Sequence, residues 1–268
     1  MRITAIEAWS IDLPLLEPYT IAYESVESTV NVLLRLETNS GISGYGCAAP
    51  DPAVTGESAA GTLKTVDDVI SDRLKGADPL RIARIMDNLR PLVTQQPAAA
   101  AMVDMALYDI LGKTTGLPLY RLLGGYRTRI RTSITIGILP VEQTVERALD
   151  HKKNGFKAIK IKGGLDLDLD VERVRKVRAA AGPEIQLRFD ANQGYDIDQS
   201  LEFVSRTRED NLEIFEQPTP RSRPDLLGKV CRRSSTAVMA DESIVSLRDA
   251  FRLAKRQWVD MVNVKLMK

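Results

Sequence analysis

The sequence predicts an α/β protein in two parts, an α+β domain over residues 1–125 and a TIM-type barrel over residues 126–268. Three observations predict it. The first part places strands before helices, the order of an α+β domain. From residue 126 on, short apolar runs alternate with helical stretches, the pattern of right-handed βαβ crossovers and a parallel sheet. The repeat is regular, which favours a barrel over an open sheet.

In the first part, residues 2–13 and 30–37 alternate apolar and polar side chains and are rich in β-branched residues, so both read as strands. Asn39-Ser40-Gly41 turns the second into a third strand at 42–46. Stretches 17–23 and 48–56 read as loops carried by this sheet, a usual place for substrate contacts, and the first offers Tyr19 and Tyr23. From Glu57 the period becomes helical, with Leu63, Val66, Val69, Ile70 and Leu74 in step. Pro79 opens a second helix running to Leu89. Pro97 opens a third, in which Met102, Val103, Ala106, Leu107, Ile110 and Leu111 form one apolar stripe. Gly116-Leu117-Pro118 and Leu123-Gly124-Gly125 then break the chain, which sets the boundary near residue 125.

In the second part the strand-like runs are 133–138, 158–162, 185–190, 212–216, 237–241 and 261–266. Helix-like stretches fall between them at 141–153, 166–180, 197–209, 223–233 and 246–256. A barrel of this type takes eight strands and at least ~200 residues. The sequence therefore reads as a fragment, short by about two strand–helix units.

Composition narrows the function. A hydrophobic content of 44% and a net charge of +1 are those of an ordinary globular protein and give no reason to expect a nucleic-acid or membrane partner. The N-terminus has neither a basic start nor a long apolar run, and no stretch approaches the ~20 apolar residues of a membrane helix, so a cytoplasmic location is expected. Cys47 and Cys231 lack metal-ligand spacing and read as packed side chains in a reducing compartment. The one histidine, His151, lies in a charged helix end, which argues against a histidine triad or a histidine metal site.

The chemistry gathers around Ala158-Ile159-Lys160-Ile161-Lys162. On a strand, Lys160 and Lys162 share one face and Ile159 and Ile161 the other. Alone, such lysines read equally well as an edge-strand device against aggregation and as part of a site that wants two ammonium groups. Four later strand ends change that reading: Asp190-Ala191-Asn192, Glu216-Gln217-Pro218, Asp241-Glu242-Ser243 and Asn263-Val264-Lys265. Any single acidic residue there would read as a helix cap or turn. In register, Asp190, Glu216 and Asp241 would repel one another unless a cation lay between them, and an oxygen-only donor set suits Mg²⁺ rather than zinc. Lys162 and Lys265 flank the cluster. A lysine, with a reference pKa of ~10.4, acts as a base only where its proton is disfavoured, and Lys160, a divalent cation and burial all act in that direction.

These motifs resemble those of the enolase superfamily, in its muconate lactonizing enzyme subgroup: Lys-x-Lys, Asp-x-Asn, Glu-Gln-Pro, Asp-Glu-Ser and a lysine on the sixth strand. The resemblance spans the whole sequence. It implies an enolase-like fold, a capping domain with a modified (β/α)7β barrel, here incomplete. It implies one Mg²⁺ per active site on Asp190, Glu216 and Asp241, an acid/base pair in Lys162 and Lys265, and electrostatic support from Lys160. Asn192, Glu242, Thr135, Tyr19 and Tyr23 are expected beside the ligands or the substrate. Of Lys265 and Lys268, only Lys265 matches Asn-Val-Lys. Cys47 stands where relatives often carry a glutamate, which departs from the pattern.

The stretches 132–138 and 46–57 look most like the dipeptide epimerases. The resemblance therefore implies a homo-oligomeric enzyme that epimerises the α-carbon of a small substrate, a dipeptide, through an enolate. Alternatives within the subgroup are an N-succinylamino acid racemase, acting on N-acyl amino acids, and an o-succinylbenzoate synthase. A further alternative is a non-catalytic or fragmentary member of the fold. In the dipeptide epimerases an Asp-x-Asp pair on the eighth strand holds the substrate ammonium, and that stretch is not in this sequence.

Overall fold

The computed structural model describes residues 1–267, so Lys268 lies outside the described residues. The chain forms two compact units. The first comprises Met1–Leu15, Ser28–Thr128 and the described residues from Lys265 on; the second comprises Leu16–Glu27 and Arg129–Val264.

The first unit carries a three-stranded sheet in the order β1 (Ile3–Thr20), β2 (Ser25–Thr38), β3 (Ser43–Ala48). β2 and β3 pair antiparallel from Val32↔Ala48 to Glu37↔Ser43. β1 and β2 run well beyond their expected ends, so most of the loop expected at 17–23 is strand. Pro14 and Pro18 are tolerated because β1 is an edge strand, where a missing N–H can face away from the ladder. Tyr19 accordingly sits on β1 and Tyr23 in the turn, which closes with Ile21 N donating to Glu24 O at 2.9 Å.

Helix α1 (Ala59–Thr65) begins at Ser58, whose Oγ accepts from Gly61 N, and passes through a π turn at Val66–Ile70 into α2 (Ser71–Leu74). α3 (Ile82–Leu89) starts later than the proline signal predicts, because Asp78 Oδ1 takes the Leu80 N–H and holds Pro79 and Leu80 in a turn. α4 (Pro97–Thr115) opens on its proline and ends at Gly116 with φ +66°. At its start the fully buried Glu57 accepts from Ala98 N at 2.9 Å, and burial pushes that carboxyl's pKa up. α5 (Leu119–Leu122) follows. The expected stripe of α4 is buried from Met102 to Ile110. It meets β3 backbone to backbone: a Cβ on Gly46 would fall on the Met102 carbonyl, and one on Gly44 on the Ala106 carbonyl.

The second unit is the expected strand–helix repeat. Strands β4 (Ser133–Ile136), β5 (Ala158–Lys162), β6 (Gln186–Asp190), β7 (Leu212–Glu216), β8 (Val238–Ala240) and β9 (Met261–Val262) form one parallel sheet in sequence order. Between them run α6 (Val141–Lys153), α7 (Leu167–Ala181), α8 (Ile197–Arg206), α9 (Pro224–Cys231) and α10 (Leu247–Arg256). Ile159 and Ile161 of β5, Leu187 and Phe189 of β6 and Phe215 of β7 join Val171, Val174, Phe203 and Leu227 of the helices in one core. The opposite face is left to the polar residues between them.

β9 covers only two residues of the run expected at 261–266. Its ladder with β8 ends where Asn263 N donates to Ala240 O at 2.7 Å, and Val264 is 79% exposed. The tip of the β1–β2 hairpin packs within this second unit. Ile138 N donates to Thr20 O at 2.8 Å, Arg147 pairs with Glu17 at 2.8 Å, and Tyr19 Cβ lies 2.9 Å from where a Cβ on Gly137 would stand.

Replacing Gly46 by alanine should destabilise the first unit by about 1–3 kcal/mol, because helix or strand backbone must move to admit the methyl. Urea unfolding checks this: the expected result is a lower midpoint with an unchanged slope.

Candidate active site

The site follows from strand register. Lys162 of β5 pairs with Asp190 of β6, and Asp190 with Glu216 of β7, so three charged side chains stand at one height on the face turned away from the helices. Lys160 lies two residues back on the same face, between Thr135 of β4 and Arg188 of β6. Asp241 follows β8 directly. Asp190, Glu216 and Asp241 are all buried, with carboxylate oxygens within 4.8 Å of one another.

The two lysines are bound into this cluster. Lys162 Nζ donates to Asp190 Oδ2 at 2.7 Å and to Asn192 Oδ1 at 2.9 Å. Lys160 Nζ lies 3.3 Å from Asp190 Oδ2 and 3.2 Å from Glu216 Oε2. Burial works against the Lys160 ammonium, but the charges of Asp190 and Glu216 outweigh it and raise its pKa, so Lys160 stays a cation. Glu216 is pushed up to about 7, first by burial and then by the charge of Asp190, with Lys160 opposing.

The bends after the strands aim these groups. Asn192 (φ +43°) and Gln217 (φ +35°) adopt left-handed conformations, and Asn192 N donates to Asp190 Oδ1 at 3.0 Å, a local turn that orients the carboxylate. Asn192 also donates through Nδ2 to Glu242 Oε1 at 3.0 Å, which links Lys162 to Glu242 through one amide. Burial raises the Glu242 pKa, and its Oε2 is buried with no hydrogen-bond partner among the described residues.

Two motif residues to which the sequence assigns no role have clear ones. Gln217 is fully buried; its Oε1 accepts from Asp241 N at 3.0 Å and Ser243 N at 3.1 Å, while its Nε2 donates to Thr219 O and Ser243 Oγ, both at 2.8 Å. It thereby fixes Asp241 relative to the end of β7. Asn263 Nδ2 donates to Glu216 Oε1 at 2.9 Å and Asp241 Oδ2 at 3.3 Å. Their place inside the motifs is the one signal the sequence carries; amides at strand ends otherwise read as turn residues.

The remaining expected residues are placed as follows. Thr135 is exposed, on the Lys160 face of the sheet. Tyr19 and Tyr23 are exposed at the hairpin tip that packs in this unit. Lys265 is half-buried, three residues past β9, and groups with the first unit rather than with the strand that was expected to carry it.

Asp190, Glu216 and Asp241 fit Mg²⁺. They form an oxygen-only set, buried and close-packed, in which Asp190 and Glu216 pair with the ammonium groups of Lys160 and Lys162. Because Glu216 is raised to about 7, it must shed a proton below that pH before it can ligate. Mg²⁺ affinity should therefore weaken as pH falls below about 7, by up to roughly tenfold per unit for the one proton displaced. Calorimetric titration between pH 6 and 8 checks the slope, and Glu216→Gln should flatten it while lowering affinity throughout.

The sequence matches the mandelate racemase/muconate lactonizing enzyme N-terminal domain over residues 5–124 and the enolase C-terminal domain-like family over residues 143–268. A hydrophobic dipeptide epimerase of Enterococcus faecalis is 36% identical over all of this chain and 75% of its own length. An L-Lys-D/L-Arg epimerase of Desulforapulum autotrophicum is 37% identical over all of this chain and 76% of its own. The crystal structure of the Enterococcus faecalis dipeptide epimerase, complexed with Mg and L-Leu-L-Tyr, superposes with a TM-score of 0.97 at 36% identity, again covering all of this chain and 75% of that one. With both domains matched and the lysine–carboxylate register in place, the chain belongs to the mandelate racemase/muconate lactonizing enzyme family of the enolase superfamily.

Proposed function

We propose that the chain is a Mg²⁺-dependent epimerase that removes and returns the proton on the α-carbon next to a carboxylate, with dipeptides as substrates. The observation that supports this most is the placement of Lys162, 2.7 Å from Asp190 and beside the buried carboxylate triad. An α-proton next to a carboxylate is a weak acid because its removal puts further negative charge on that group. A site that removes it needs positive charge at the carboxylate and a base at the α-carbon. Mg²⁺ held by Asp190, Glu216 and Asp241 would supply the positive charge.

The chain's own residues take the remaining roles. Lys160, kept cationic by Asp190 and Glu216, adds fixed positive charge on the same face. Lys162, as the free amine, takes the proton from one face of the α-carbon. Lys265 is assigned to the opposite face, where its ammonium returns a proton and inverts the centre. Asn192 orients Lys162, and Glu242 holds Asn192. Thr135, Tyr19 and Tyr23 are assigned to substrate contact. Dipeptides are favoured because relatives that match this chain over its whole length are dipeptide epimerases. We take residues 1–125 as the capping domain and 126–268 as the catalytic barrel, in a cytoplasmic homo-oligomer; among the described residues no helix is long and apolar enough to cross a membrane.

Lys162→Ala and Lys265→Ala should each slow epimerisation by roughly 1,000-fold. In D₂O each should still exchange the α-proton of the epimer that the surviving lysine serves. Normal epimerisation by Lys265→Ala would overturn the two-base assignment. Turnover of N-succinylamino acids in preference to L,L-dipeptides would move the substrate assignment to the racemase reading.

A further inference from the structure

The turn that follows Lys162 is held by groups that the reaction above does not use. Asp170, on α7, is completely buried, and its carboxylate accepts three hydrogen bonds. Gly164 N donates to Oδ2 at 2.8 Å, Tyr195 Oη donates to Oδ2 at 2.6 Å, and Arg173 Nη1 donates to Oδ1 at 2.7 Å. Arg173, itself 5% exposed, continues through Nε to Leu139 O at 2.7 Å. One carboxylate thus ties together the chain as it leaves β4 at Leu139, β5 at Gly164 and β6 at Tyr195. Those three strands carry Thr135, the two lysines, and Asp190.

Burying an aspartate and an arginine this way is costly unless every bond is made, and a helix-to-sheet contact of this size could be filled more cheaply with apolar groups. What an apolar contact cannot do is fix backbone direction. The turn is built around this contact: Gly164 stands at φ +102°, and a Cβ on Gly163 would fall on Phe189 and on the Asp170 carboxylate. Tyr195 is anchored in turn, with its N–H donating to Pro218 O at 2.9 Å and its ring 5.8 Å from Phe203 and 6.3 Å from Phe215. The carboxylate is therefore held on a rigid wall, and the chain just after Lys162 hangs from it.

We propose that Asp170 is a positioning residue, which through Gly164, Arg173 and Tyr195 sets where Lys162 Nζ stands relative to the substrate α-carbon. This rests on the epimerase reading for its kinetic consequence, although not for its structural one. A base displaced by about 1 Å can cost on the order of 100-fold in rate, whereas substrate held by its carboxylate elsewhere in the site keeps its affinity.

The test compares Asp170→Asn and Tyr195→Phe with wild type, each with Mg²⁺ present. Asp170→Asn should lower kcat roughly 100-fold and Tyr195→Phe about fivefold, for the single hydrogen bond lost, with KM little changed. In D₂O, α-deuterium incorporation should slow for only the epimer served by Lys162, a selectivity that a general loss of stability would not produce. Crystal structures of the variants should show the 163–164 turn shifted and Lys162 Nζ withdrawn from Asn192. The proposal is overturned if the variants only melt earlier, with kcat per folded molecule and exchange of both epimers unchanged, or if Lys162 keeps its place. Should Asp170→Asn fail to fold, Tyr195→Phe decides by the same criteria. If wild type epimerises no dipeptide, it is the functional reading that fails, and the crystallographic comparison still decides the positioning role.

Discussion

Three carboxylates buried within 4.8 Å of one another cannot stand together without help, and the second unit is arranged around that constraint. Mutual repulsion and lost hydration both oppose their charged forms, as the raised Glu216 shows. Relief comes from two ammonium groups on the neighbouring strand, from the Asn263 amide, which donates to Glu216 and Asp241, and from the Asn192 N–H, which donates to Asp190. Most of these contacts join residues far apart in sequence. They exist because the parallel ladder brings Lys162, Asp190 and Glu216 to one height.

The same ladder explains why chemistry and packing do not interfere. Along β5 and β6 the residues alternate between two jobs: Ile159, Ile161 and Phe189 hold the sheet to its helices, while Lys160, Lys162 and Asp190 face the other way. A slip of one residue would exchange the two sets, burying ammonium groups against Val171 and Val174 and turning isoleucines into the site. The hydrophobic core is thus what guarantees the register of the charged row.

Much of this is legible in the sequence, for identifiable reasons. Five strand ends carry the motif residues at the spacing of one βα unit, and a two-residue period settles which side chains share a face, so residue order alone places the lysine pair and the three acids. The hairpin is not legible to its full length, because Pro14 and Pro18 argue for a loop unless the strand is known to be an edge. The short β9 escapes for the complementary reason: Met261 to Leu266 has a strand's composition, but only the first two residues pair with β8. Asp170 and Arg173, three apart on a helix, belong to none of the motifs that the sequence sets apart. Only the fold reveals that this helix face is buried, and that Tyr195, remote in sequence, completes the set.

The partition of the β1–β2 hairpin has a bearing on how such proteins can be recombined. Its stem belongs to the unit of Met1–Leu15 and Ser28–Thr128, whereas Leu16–Glu27 packs as part of the other. The two units are therefore not interchangeable cassettes divided at a single seam. A graft that exchanged everything before residue 125 would carry a foreign tip onto Gly137 and Ile138, where Tyr19 and Thr20 now fit. Exchange of the tip alone, twelve residues cut at Leu15 and Ser28, would leave both hydrophobic cores with their native sequences. On that view the hairpin tip is a small replaceable part, whose exchange touches neither core.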